Sequence, residues 1–202
     1  MSRRRRKQGI SLAAVLLALF IALGQHYGWF DSLSQGVVQN QPGLYTIDHY
    51  IDGDTIAVDM NGKVETVRFI GIDTPETHKP DTPVQCYGPA AAAHTQNTIK
   101  GAGDKVRLAS DSLDTDRDRY GRLLRYVYLP NGVLLNELNI REGYAFYYPY
   151  FPFSKKAEFK AAQDSARAAQ KGLWGACNPT PTDNGGYKMD EPQSGATGSA
   201  TN

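Results

Sequence analysis

The pair Asn61-Gly62 separates two runs, residues 55–60 and 63–70, that are rich in β-branched and apolar residues. Asn and Gly tolerate the positive φ of a tight primed turn, whose twist suits paired strands, so this stretch predicts a β-hairpin. A third strand is expected just upstream, at 45–50, and two more downstream, at 105–109 and 122–129. Helices fall between and after them. Residues 89–100 open on Pro89, run through alanines and meet Gly101, which is the pattern of a helix with a proline start and a glycine stop. A short helix at 134–142 ends at Gly143, and a longer one at 154–171 ends at Gly172. A chain of 202 residues holds one such domain rather than two. Five strands interrupted by helices in so short a span suit a small closed α+β barrel better than a sandwich.

The flanks have a different character. Residues 3–7 are all basic, and residues 10–24 are apolar apart from one serine. A charged head before such a run reads as a secretory signal, and extending it through Tyr27, Trp29 and Phe30 gives the length and interfacial aromatics of a membrane anchor. Cleaved signal and anchor both stay open for residues 1–30; either places the rest of the chain outside the cytoplasm. Residues 31–43 read as a polar linker, 44–178 as the folded domain and 179–202 as a disordered tail, poor in anything a core could bury. The head also distorts the charge balance. The whole chain has a formal net charge of +1, whereas residues 44–178 hold 16 basic and 17 acidic side chains. A near-neutral body excludes holding nucleic acid by bulk positive charge, so any such function needs a focused site.

Three segments concentrate unusual side chains: Ile51-Asp52-Gly53-Asp54-Thr55, Arg68 with Asp73-Thr74-Pro75-Glu76, and Asp118-Arg119-Tyr120-Gly121-Arg122. Each has an ordinary reading, as an Asx turn in which glycine takes positive φ, a helix-capping box and a solvated ion-pair turn. Together they hold the parts that phosphodiester hydrolysis requires: a cation at the phosphoryl oxygens, a base for water and donors for developing charge. Asp54, Asp73 and the Thr74 carbonyl offer hard oxygens suited to calcium. The four histidines, His26, His49, His78 and His94, lack the spacing of a zinc site. Glu76 is the natural base, and Arg68 and Arg122 bring planar forks for phosphate. Arg68 and Asp73 are an odd number of residues apart, so on a regular strand they would face opposite ways; the turn between them must redirect the acids.

In this order and spacing the segments resemble the staphylococcal nuclease family, over about residues 44–177 and ending in Gly-Leu-Trp at 172–174. The resemblance implies a five-stranded OB-fold barrel with three helices, acting as a nuclease on DNA and RNA and leaving 3′-phosphate ends. It places the calcium ligands on Asp54, Asp73 and the Thr74 carbonyl, and the catalytic residues on Arg68, Glu76 and Arg122. It also matches Tyr120 to a nucleotide-contacting tyrosine. None of the five site side chains is substituted, which speaks against the alternative of a non-catalytic nucleic-acid-binding module on the same barrel.

The segment 144–153 departs from the family pattern in its wealth of aromatics and prolines. Tyr148 and Tyr150 are its candidates for stacking on bases; a cluster that covers the barrel is the competing reading. Cys86 and Cys177, an even pair in an oxidising compartment, are expected to form one disulfide. No oligomerisation signal is visible, and a monomer is the default expectation.

Overall fold

The structure, a computed structural model, describes residues 43–77 and 83–189. Five strands close a barrel in the order β1-β2-β3-β6-β5: β1 (Leu44–Tyr50), β2 (Thr55–Asp59), β3 (Val64–Phe69), β5 (Lys105–Ala109) and β6 (Leu123–Tyr128). The Asn61-Gly62 hairpin forms as expected, with Asn61 at φ 59° and Gly62 at φ 88° and β2 antiparallel to β3. Closure comes from β3 lying parallel to β6 and β1 antiparallel to β5. A register shift between Ile47 and His49 bends β1, as bulges do where a small barrel must curve.

Helix α1 (Gly88–Gly101) connects the first three barrel strands to β5, α2 (Leu135–Arg141) follows β6, and α3 (Lys156–Ala168) packs beside α2. Ile56, Val58, Val67, Phe69, Ile99, Val127 and Ile140 are buried together between barrel and helices. Burying side chains of this size stabilises by roughly 1.5–3 kcal/mol each before chain entropy is counted.

Three features go beyond the sequence expectation. A two-residue strand β4 (Ile72–Asp73) pairs with β7 (Phe146–Tyr147), so the acidic turn is stitched to the aromatic segment. A fourth helical turn, α4 (Leu173–Ala176), follows α3. The tail also does not become irregular at residue 179: β8 (Thr180–Pro181) pairs with β9 (Tyr187–Lys188), and Met189 is buried with Phe146, Leu173 and Trp174. The apolar residues that anchor this hairpin, Tyr187 and Met189, are too sparse for composition to reveal. The predicted head (1–30) and the predicted linker (31–43) except Gly43, together with the end of the tail, lie outside the described residues. Among the described residues no helix is long and apolar enough to cross a membrane.

Candidate active site

Asp54 is placed by a turn that leaves β1. The Asp52 carboxylate accepts the Asp54 N–H at 3.0 Å, which is the Asx turn expected from Asp-Gly-Asp. Gly53, however, is not at positive φ. Its necessity is steric: a Cβ there would stand 2.8 Å from Thr74 Cγ2 and 3.1 Å from the Ala91 carbonyl carbon. The Gly53 carbonyl accepts the Thr95 hydroxyl at 2.7 Å and the Asn139 side-chain amide at 3.3 Å. The Asp54 backbone carbonyl accepts the N–H of Phe69 at 2.9 Å, binding this turn to β3.

The β2–β3 register sets Thr55 opposite Arg68, so Arg68 emerges beside Asp54. Its Nη1 lies 3.0 Å from Asp54 Oδ2 and its Nη2 2.9 Å from Asp73 Oδ1. The odd spacing is resolved by the turn after β3, where Gly71 at φ 73° reverses the chain. Arg68 Nη1 then donates to the Ile72 carbonyl at 2.9 Å. A side chain at position 71 would also strike Phe153 at 2.6 Å. Thr74 closes the cluster, donating its N–H at 2.8 Å and its hydroxyl at 3.0 Å to Asp54 Oδ2. The capping-box reading of Thr-Pro-Glu is not realised, since residues 74–77 form no helix.

Glu76 follows two residues after Thr74, close enough for its charge to act on the Asp73 carboxyl. It is gripped from the far side of the loop. The Gln85 side-chain carbonyl accepts the Glu76 N–H at 2.7 Å, and the Gln85 N–H donates to the Glu76 carbonyl at 2.9 Å. Cys86, the next residue, is bonded to Cys177. That confirms the expected disulfide and ties the loop to the end of α4.

Arg122 leaves a turn in which the Asp118 carboxylate accepts the N–H groups of Tyr120 and Arg122. Asp118 also holds Arg122 Nε at 2.7 Å. The ion-pair turn is therefore real, and it is what orients Arg122. Tyr120 is 68% exposed, with the guanidinium groups of Arg119 and Arg122 over its ring at 4.8 and 5.4 Å. Tyr148 is joined to the acidic turn by its N–H, which donates to the Gly71 carbonyl at 2.9 Å. Burial and the Asp73 charge raise its hydroxyl pKa, while Arg68 and Arg119 act in the opposite direction. The Tyr148 ring lies 4.7 Å from that of Tyr150. Tyr148 thus lies within electrostatic reach of Arg68 and Asp73, and its ring meets that of Tyr150.

Three carboxyl groups, Asp52, Asp54 and Asp73, surround a single guanidinium. Burial and the neighbouring Asp54 push Asp52 up to about 7. Burial, opposed by Arg68 and reinforced by Asp54 and Glu76, moves Asp73 in the same direction. Burial alone would lower the Arg68 pKa, but Asp54, Asp73 and Asp52 more than offset it. Among the described residues no three His, Cys, Asp or Glu side chains form a ready-made metal cage. The donor chemistry nevertheless fits a hard divalent cation: crowded carboxylates exceed the positive charge provided by Arg68, and among the described residues no sulfur or imidazole competes.

The sequence reading missed the residues beneath this surface. Asn136 and Asn139, both fully buried, project from α2 into the barrel. Asn136 accepts the Val127 N–H at 2.8 Å and donates to the Ile70 carbonyl at 2.9 Å, fixing the strand end before Gly71. Asn139 supports the Gly53 carbonyl below Asp54 and bonds the Thr95 hydroxyl at 2.9 Å. The available signal was two asparagines three apart among leucines and isoleucine, on the face a helix would bury. Gln85 gave no signal.

Comparison with known proteins identifies the family. The model of the staphylococcal nuclease homologue family matches residues 66–176. A thermonuclease of Staphylococcus hyicus is 39% identical over 168 residues, covering 82% of this chain and 94% of that protein. A thermonuclease of Staphylococcus intermedius is 41% identical over 131 residues, covering 64% and 75%. The SPbeta prophage-derived endonuclease YokF of Bacillus subtilis is 41% identical over 131 residues, covering 64% of this chain but only 43% of its own length. A family model that matches residues 66–176, more than half of the chain, and a relative 39% identical over 82% of it establish that the chain belongs to the staphylococcal nuclease family.

Proposed function

We propose that this chain is an extracytoplasmic, calcium-dependent nuclease that hydrolyses phosphodiester bonds in DNA and RNA and leaves 3′-phosphate ends. The observation that carries the reading is the Arg68 guanidinium held between Asp54 and Asp73, with Glu76 on the same turn. Asp54, Asp73 and the Thr74 carbonyl would hold calcium, which when bound supplies positive charge to the phosphoryl oxygens. Arg68 and Arg122 bind the phosphate from its sides and stabilise the charge that develops on it. Asp118 already engages Arg122 Nε, leaving the two terminal nitrogens for that task. Glu76 takes a proton from the attacking water as oxygen adds to phosphorus. The bond from phosphorus to the 5′ oxygen breaks, the leaving oxygen takes a proton from solvent to become the 5′ hydroxyl, and the phosphate stays on the 3′ side. Tyr120, Tyr148 and Tyr150 contact the nucleotide. The Cys86–Cys177 disulfide supports an oxidising compartment, in keeping with a signal or anchor at residues 1–30.

The test is cleavage of single-stranded DNA and of RNA by the full chain in calcium, in magnesium and in excess chelator. Calcium should support cleavage and magnesium only poorly, because magnesium demands a tighter octahedral shell and sheds water reluctantly. Full activity in chelator would remove the metal role of Asp54 and Asp73. Binding without cleavage in every buffer would leave a nucleic-acid-binding module instead.

A further inference from the structure

The β8–β9 hairpin lies beyond residues 66–176, the span matched by the family model, and it folds back on the aromatic segment beside the site. Gly186 seats it: a Cβ there would stand 3.0 Å from Pro149 Cδ and 3.2 Å from the Tyr147 carbonyl oxygen. Tyr187 packs edge-on against Trp174 at 4.8 Å, and its hydroxyl accepts a hydrogen bond from Arg167. The docked hairpin and the aromatic segment enclose a depression of about 400 Å³ lined by Tyr150, Pro181, Thr182, Asp183, Asn184 and Lys188. That volume is within the range of small-molecule sites.

Tyr148, whose N–H bonds the Gly71 carbonyl of the acidic turn, and Tyr150 lead from the candidate active site to this depression. Tyr148 is within electrostatic reach of Asp73 and Arg68, its ring meets Tyr150, and Tyr150 forms one wall of the depression. Tyr150 and Phe151 are 47% and 58% exposed, so both rings are open to a ligand. Two ammonium groups flank them: Lys188 in the depression, and Lys156, whose Nζ donates to the Pro149 carbonyl at 2.9 Å. Exposed rings interleaved with cations are the arrangement that single-stranded nucleic acid recognises, bases on rings and phosphates on cations.

We propose that the β8–β9 hairpin forms an accessory subsite for a nucleotide of the same single strand, outside the catalytic centre. A base stacks on Tyr150, the Asn184 amide hydrogen-bonds its edge, and Lys188 takes the adjoining phosphate. Asp183 on the same rim repels a second phosphate and limits the subsite to one nucleotide. The proposal rests on the nuclease reading of the neighbouring site for its substrate class.

The test measures the anisotropy of a fluorescent single-stranded DNA of about 12 nucleotides, a length typical of one barrel's site. The protein is the full chain carrying Glu76→Gln, with and without Lys188→Glu. Losing one phosphate contact should weaken binding about tenfold and reduce the slope of log affinity against log salt by about 0.7. Lys63→Glu, the same reversal on the β2–β3 turn, should change affinity less than twofold. Unchanged affinity for Lys188→Glu, or equal losses for both reversals, would overturn the subsite. If Lys188→Glu melts earlier than its parent, Lys188→Gln replaces it and must show the same fall in slope. Wild-type chain is assayed for cleavage of the same strand in parallel: a strand bound through Lys188 but never cut would remove the nuclease reading alone.

Discussion

Arg68 is the residue on which two separate stretches of sequence converge, between Asp54 of one and Asp73 of the other. Its guanidinium is held by Asp54, Asp73 and the Ile72 carbonyl, so removing it would leave crowded, unpaired carboxylates. Glu76 differs, because it is held through its backbone by Gln85 and its carboxyl is not the member that holds Arg68. It can therefore be altered chemically without dismantling the cluster. Glu76→Gln keeps the size and both backbone bonds but cannot accept a proton from water. The maximal rate should fall by about 10²- to 10⁴-fold, the range for loss of a general base, with calcium affinity nearly unchanged. Turnover and a calcium titration on the same variant check this. A rate within a few-fold of wild type would reduce Glu76 to a structural role, and a lost calcium affinity would make it a ligand.

At the scale of elements, what was legible in the sequence is what local rules govern. Runs of β-branched and apolar residues around Asn61-Gly62 announce β2 and β3, and Pro89 and Gly101 bracket α1 to within a residue of its ends. The chemistry-bearing segments were also visible, since each is contiguous. What stayed hidden depends on pairing across the chain. The β4–β7 contact involves two residues a side, too few to leave a period, and Gln85 meets Glu76 only because the intervening loop returns. The register of Tyr148 and Tyr150 likewise needed the Gly71 contact to place it. The disulfide belongs to this level, because it joins the segment before α1 to the end of α4 across a separation of 91 residues. In the chain-entropy picture a loop of that size stabilises by up to about 4–5 kcal/mol. Reduction should therefore lower the melting temperature clearly. It should also slow turnover modestly, because Cys86 adjoins the residue that grips Glu76, but the Gln85 bonds remain and activity should not vanish. Calorimetry and turnover with and without reductant, repeated on the Cys86→Ser, Cys177→Ser double variant, measure both. An unchanged melting temperature would mean the bridge constrains nothing the fold does not already fix.

For the molecule as a whole, the near-neutral domain is cross-braced by internal carboxylates rather than by net charge, and Asp111 is the clearest case. It sits in the loop after β5, yet its Oδ2 accepts the Tyr126 hydroxyl of β6 and the N–H and hydroxyl of Ser154 ahead of α3, each at 2.6 Å. Its Oδ1 accepts the Leu113 N–H at 2.8 Å. Burial alone would raise the Asp111 pKa, but the hydrogen bonds from Ser154, Tyr126 and Leu113 outweigh it and hold the carboxyl well below the ordinary carboxylate range. Asp114 on the same loop feels the Asp111 charge, and Lys155 lies over the Tyr126 ring at 5.9 Å. A carboxyl whose pKa is depressed by folding contributes stability that is complete above its unfolded value, near 3.9, and is lost as the pH falls below it. Asp111→Asn keeps the shape but presents one acceptor oxygen to several donors, so at pH 7 it should cost about 1–3 kcal/mol. Asparagine does not titrate, so the gap between wild type and variant should shrink by about 1.4 kcal/mol for each pH unit below 4. Urea unfolding of both proteins at pH 7 and pH 3 reads this directly. Other carboxylates titrate in the same window, but they do so in both proteins and cancel in the difference. A gap of equal size at the two pH values would show that the brace does not depend on the charge of Asp111.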